Sequence, residues 1–161
     1  QAICLFGKPR AVTADIATLR DGAMAPDWFH VVLHYPRMRA VLHSTKLAAD
    51  HSLRFAVHGT GGSWIKHAMD TQEATLIAGG VPGSDSFGLD PVPGLMTLGG
   101  VTGAAVEVPN ERGNYAGFWR DLVQALRGEG VNPVPSAQAI AVMEVMDAGL
   151  RSCAKGETIN L

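Results

Sequence analysis

Six histidines are the first places in this 161-residue chain where chemistry could sit. Two of them, His30 and His34, stand four apart in W-F-H-V-V-L-H (residues 28–34). A run so rich in β-branched and aromatic residues reads as a strand. Four strand residues at ~3.3 Å each span about 13 Å, whereas one zinc ion needs both nitrogens within about 2 Å. The pair cannot share an ion directly, and the string lacks the Glu of the helical zinc hydrolases. Surface or core histidines, with no metal site, are the expectation. The glycine-rich G-T-G-G-S-W (residues 59–64) places two glycines in dinucleotide-fingerprint register, but Trp64 occupies the third position. It also joins strand to strand, so no helix N-terminus waits to receive a pyrophosphate; a hairpin turn is the better reading. Neither G-x-S-x-G nor a Cys–His nucleophile signature occurs. Tyr115, Phe118 and Trp119 share helical spacing and read as a core face, although the Tyr115 hydroxyl, in a first turn, could instead meet a ligand.

The elements that would hold these residues fall into three stretches. Residues 10–19, 28–35, 39–47, 53–58 and 63–68 are short alternating or β-branched runs with brief connections, the pattern of an antiparallel meander. The middle opens on a capping box, Asp70 to Glu73, which predicts a short helix through Ile77. Residues 81–100 carry three prolines and many glycines; a loop of that length inside a domain is usually functional or mobile. A short strand is predicted over 104–108. The last third is helical: Tyr115, Phe118, Trp119, Leu122 and Leu126 mark one helix. Ile140, Met143, Met146, Leu150 and Cys153 mark the apolar stripe of a second, where Cys153 reads as an inert core thiol. A closing strand over 158–161 completes an α+β fold: one mostly antiparallel open sheet with helices on one face. Apolar residues on both faces of the sheet (Val31, Val32, Leu33, Val41, Leu42) predict self-association through the face left open.

Composition excludes several classes. The formal net charge of −2 gives no global pull toward nucleic acid or anionic lipid. No run approaches the ~18 apolar residues of a membrane span. Two cysteines build no disulfide framework, which favours a reducing cytoplasm. The opening Q-A-I-C-L-F-G reads as the tail of a helix ended by Gly7 and Pro9, too short to hold itself. The expectation is therefore a single domain, 1–161, of a longer protein.

Several strings, in order, carry a resemblance. They are F-G-K-P-R-A-V (6–12), D-W-F-H-V-V-L (27–33), H-G-T-G-G-S-W-I (58–65), Y-A-G-F-W-R-D-L-V-Q-A-L-R-G (115–128), N-P-V-P (132–135) and R-S-C-A-K-G-E-T-I-N-L (151–161). Together they resemble the C-terminal domain of the Gfo/Idh/MocA oxidoreductases (glucose–fructose oxidoreductase, inositol dehydrogenase, rhizopine catabolism). The resemblance implies an N-terminal Rossmann domain binding NAD or NADP, a C-terminal sheet that walls the substrate pocket and builds a dimer, and hydride transfer at a sugar or polyol carbon. The family's catalytic Lys follows a Glu and precedes a Pro; Lys8-Pro9 follows Gly7 and does not fit. No Asp-x-x-x-His occurs. Catalytic and cofactor residues are thus expected outside this chain, and the fragment alone is expected to bind no dinucleotide. By the same resemblance, substrate lies near the loop joining the first two strands and the start of the late helix, which singles out Arg20, Asp27, Trp28 and Tyr115. The alternative class is a non-enzymatic ligand-binding or self-association module.

Overall fold

Strand β1 (Ala11–Ala17) follows the helical tail α1 (Ala2–Phe6) and leads through β2 (Trp28–His34), β3 (Arg39–Thr45), β4 (Leu53–Gly59) and β5 (Gly62–His67) to α2 (Gln72–Ile77). Then come β6 (Gly94–Leu98), β7 (Ala105–Val108), α3 (Tyr115–Leu126), α4 (Ser136–Lys155) and β8 (Ile159–Asn160). The computed structural model describes residues 1–99 and 103–161. The chain divides into two units, Gln1–Ala48 with Val134–Leu161, and Ala49–Pro133. The fold is α+β and every described strand pairing is antiparallel. The strands form two four-stranded sheets, however, not the one expected. Alternation reports that a strand is half-buried; it does not report which strand it hydrogen-bonds.

The first unit holds the sheet β3-β2-β1-β8. Val12 faces Leu33 across the ladder, and these two pack with Tyr35, Val145, Ala148 and Ile159 into the core. Helix α4 meets β1 through Val145, Ala148, Gly149 and Ser152. The predicted stripe is out of phase: Ile140, Met143, Met146 and Leu150 are exposed. Small residues make the closer contact, and large apolar side chains mark the opposite side of the helix. Strand β8 pairs only with Ala11 and Val12. Beyond it, α4 continues the edge: Ser152 Oγ accepts from Ala14 N at 2.9 Å, and Cys153 Sγ meets Ile16 N at 3.3 Å. Gly7 ends α1 at φ +73°, ψ −169°, a region open to glycine, and its carbonyl accepts from the Tyr35 hydroxyl at 2.8 Å.

The second unit holds the sheet β4-β5-β6-β7. The glycine-rich string is a hairpin turn, as expected, with Gly59 opposite Gly62. A Cβ at Gly62 would lie 2.4 Å from the Thr97 carbonyl, so only glycine lets β6 approach. The predicted loop 81–100 is shorter than expected, because β6 occupies Gly94–Leu98; its last residue, Gly100, lies outside the described residues. Gly94 permits this: a Cβ there would sit 2.3 Å from the Trp64 indole nitrogen. A buried ion pair, Lys66 to Asp90 at 2.8 Å, ties the remaining loop to β5. The capping box is replaced by a tighter turn, in which Asp70 Oδ1 accepts from Gln72 N at 2.9 Å and Thr71 is the N-cap. The aromatic face of α3 is not core. Tyr115, Phe118 and Trp119 are exposed, Trp119 by 63 %.

Candidate functional site

Arg20, Asp27 and Trp28 meet at the mouth of the β1–β2 loop because Asp27 closes it. Asp27 N donates to Ala17 O at 3.0 Å. Its carboxylate accepts from Leu19 N at 2.7 Å, from Arg20 N at 3.2 Å and from Arg20 Nε at 2.8 Å. Those bonds, the Leu19 amide first and the Arg20 side chain next, hold the Asp27 carboxyl below the usual aspartate range. The ion pair is lopsided: the Asp27 side chain is 3 % exposed and that of Arg20 51 %. Asp27 is thus occupied by its own loop, while the Arg20 side chain is about half in solvent. A guanidinium does not deprotonate in proteins, so Arg20 offers fixed donors and charge, not acid–base chemistry.

Trp28, half-buried, is stacked on His30 at 6.4 Å and meets His43 edge-on at 5.6 Å. His30 and His43 are cross-strand partners with ring centroids 5.6 Å apart. His30 therefore neighbours His43, while His34 bonds Thr13 through its ring at 2.8 Å. No group of three metal-ligating side chains forms among the described residues.

Tyr115 belongs to the second unit and opens α3. Asn114 caps that helix by accepting from Gly117 N at 2.9 Å, and Tyr115 N donates to Gln72 Oε1 at 2.8 Å. The phenol ring is half in solvent, and its hydroxyl makes no hydrogen bond among the described residues. Sequence reasoning missed Gln72. It reads there as one polar residue inside a capping box, yet it is 1 % exposed and ties α2 to α3. The buried Lys66–Asp90 pair was missed too; its only signal is a lysine within an otherwise alternating strand. What these side chains can do is bind and orient. The Arg20 guanidinium in the first unit and the Tyr115 hydroxyl in the second are each hydrogen-bonding groups that suit a hydroxyl-bearing ligand.

Two antiparallel four-stranded sheets accompanied by helices define an α+β domain. A family model described as "Oxidoreductase family, C-terminal alpha/beta domain" matches residues 1–161. The chain is 41 % identical over 162 residues to the uncharacterized oxidoreductase YdgJ of Escherichia coli strain K12, covering all of this chain and 47 % of that protein. It is 33 % identical over 165 residues to the scyllo-inositol 2-dehydrogenase (NADP(+)) IolW of Bacillus subtilis strain 168, covering all of this chain and 46 % of IolW. A solved oxidoreductase from Bacillus cereus superposes with a TM-score of 0.85 at 29 % identity, over 99 % of this chain and 48 % of that one. The chain belongs to the Gfo/Idh/MocA oxidoreductase family, in its C-terminal α/β domain. It spans about half the length of the relatives it matches. No described helix is long and apolar enough to cross a membrane.

Proposed function

We propose that residues 1–161 form the substrate and oligomerisation domain of a cytoplasmic, NAD- or NADP-dependent oxidoreductase acting on a hydroxyl of a sugar or polyol. One observation carries this reading: relatives match the chain from end to end, yet run to about twice its length. The IolW likeness points toward a cyclic polyol and NADP. An N-terminal Rossmann domain would hold the cofactor, which supplies the hydride chemistry, and the catalytic residues would come from outside this chain. In this reading Arg20, held by Asp27, and Trp28 are the substrate-contact candidates of the first unit, and Tyr115 is a separate candidate in the second. The exposed stripe of α4 and the aromatics of α3 support it, since apolar surface of this kind marks contact with more protein. The face of the first sheet opposite α4, carrying Val32 and Val41 in register, would be the homodimer face.

The test is steady-state kinetics of the two-domain protein with inositols and common sugars, using both cofactors. Reduction of NAD or NADP with a polyol or sugar is expected, and no turnover with any of them overturns the reading. Arg20→Ala and Tyr115→Phe should each lower kcat/KM without loss of folding stability. Wild-type values for both would remove these residues from the site. Light scattering should show a dimer; a monomer up to near-millimolar concentration removes the dimer face. Calorimetry of residues 1–161 with NADH and NADPH should show no stoichiometric sub-millimolar binding.

A further inference from the structure

On the face of the first sheet turned away from α4, one row of side chains has no part in the polyol reading. Val12 and Ala14 lie against Gly149 of α4, so alternation puts their neighbours Thr13 and Asp15 on the opposite face. In register, Asp15 stands across from His30, and His30 across from His43. We infer that His30 and His43 together bind a late divalent transition-metal ion.

Three observations carry the assignment. First, the spacing fits one ion. The two ring centroids are 5.6 Å apart and the ring planes are tilted by 56°. Metal–imidazole bonds of about 2.0–2.1 Å at a tetrahedral angle hold two ring centres about 5 Å apart, and a small side-chain rotation closes the difference. His30 and His34, four apart on one strand, have no such geometry; strand pairing brings the right partner to His30. Second, both imidazoles are exposed, and neither makes a hydrogen bond among the described residues. His34, His58 and His67 each bond a hydroxyl instead, of Thr13, Ser63 and Ser52. Imidazole nitrogens suit zinc, copper and nickel. Third, the rings are ordered before any ion arrives. Trp28 stacks on His30 at 6.4 Å and meets His43 edge-on at 5.6 Å, and both histidines sit on paired strands. A pair fixed this way loses less freedom on binding than two loop side chains would. No third metal-ligating side chain joins them among the described residues, so water completes the coordination and the site is an open one. Asp15, beside His30 in the row, adds a negative charge that favours a cation there.

The experiment is calorimetric titration of the 161-residue chain with zinc chloride and, separately, with copper(II) chloride, recording tryptophan fluorescence alongside the copper titration. A Cys4→Ser background keeps the exposed thiol from competing. One ion per chain is expected, at a Kd on the order of 10–100 μM, tighter for copper than for zinc. Copper should quench part of the tryptophan emission, that of Trp28, and excess zinc should restore it. His30→Gln and His43→Gln should each raise Kd at least roughly tenfold, since losing even an outer partner of a ligand costs about that. His51→Gln, at an exposed histidine outside the row, should leave Kd unchanged. Each row variant is read on its own, so if one fails to fold the other still decides. A Kd above about 1 mM, several ions per chain with no distinct first site, or equal affinity in wild type and the row variants means an adventitious surface ion only and overturns the proposal. The dimer reading shares this face and is tested by light scattering in the presence of chelator, and turnover tests the polyol reading, so each fails on its own.

Discussion

Replacing Ser152 by Ala tests whether α4 completes the first sheet. Ser152 is 1 % exposed. Its hydroxyl accepts from Ala14 N at 2.9 Å and donates to Glu157 O at 2.6 Å. Strand β8 is only two residues long and ends its pairing at Val12, so Ala14 N on that edge has no strand to donate to. Ser152→Ala removes two neutral hydrogen bonds, each worth about 0.5–1.5 kcal/mol net, and strands a half-buried N–H whose desolvation costs about 1–3 kcal/mol. Glu157 is exposed, so its carbonyl regains water and adds little. The expected loss is about 1–3 kcal/mol, large enough to see in urea denaturation followed through Trp28. Hydrogen exchange gives the local signature: the Ala14 amide should lose most of its protection, while Val12, still paired to β8, keeps more. Cys153→Ala should cost less, because sulfur is a weak partner. A Ser152→Ala loss below about 0.5 kcal/mol, with Ala14 still protected, would show that water or a shifted β8 satisfies the edge and that the reasoning is wrong.

Lys66→Met should destabilise the chain by about 3–5 kcal/mol by stranding Asp90, and adding Asp90→Leu should restore most of that loss; the measurement is a double-mutant cycle in urea. Asp27, whose folded pKa is depressed, contributes stability that is present above the ordinary aspartate value and lost as pH falls through its own lower one. The stability difference between wild type and Asp27→Asn should therefore be constant from neutral pH to about 4 and shrink below it, as read by denaturation at stepped pH. Gly62→Ala should cost on the order of 1–3 kcal/mol by forcing a methyl group against the Thr97 carbonyl, with loss of exchange protection in β5 and β6.

The strands of the first sheet were legible because alternation and β-branching are local properties. So was the hairpin at residues 59–62, because two glycines between strands leave few turns to choose from. What the sequence hid was pairing and phase. On α4 the large apolar side chains drew the eye to Ile140 and Met143, whereas contact with β1 is set by Ala148, Gly149 and Ser152, residues whose value is that they are small. Tyr115, Phe118 and Trp119 read as core because aromatic spacing cannot distinguish a buried helix face from an exposed one. For the candidate site, adjacency of Arg20 and Asp27 was predictable from the loop, but the burial of Asp27 and its bond to the Leu19 amide were not. Gln72 was invisible for a deeper reason. Its partner, Tyr115 N, lies 43 residues away, and nothing in local propensity marks a glutamine that will be buried. Chemistry that arises from long-range closure has to be read from the folded chain, and here that closure is what fixes the start of α3.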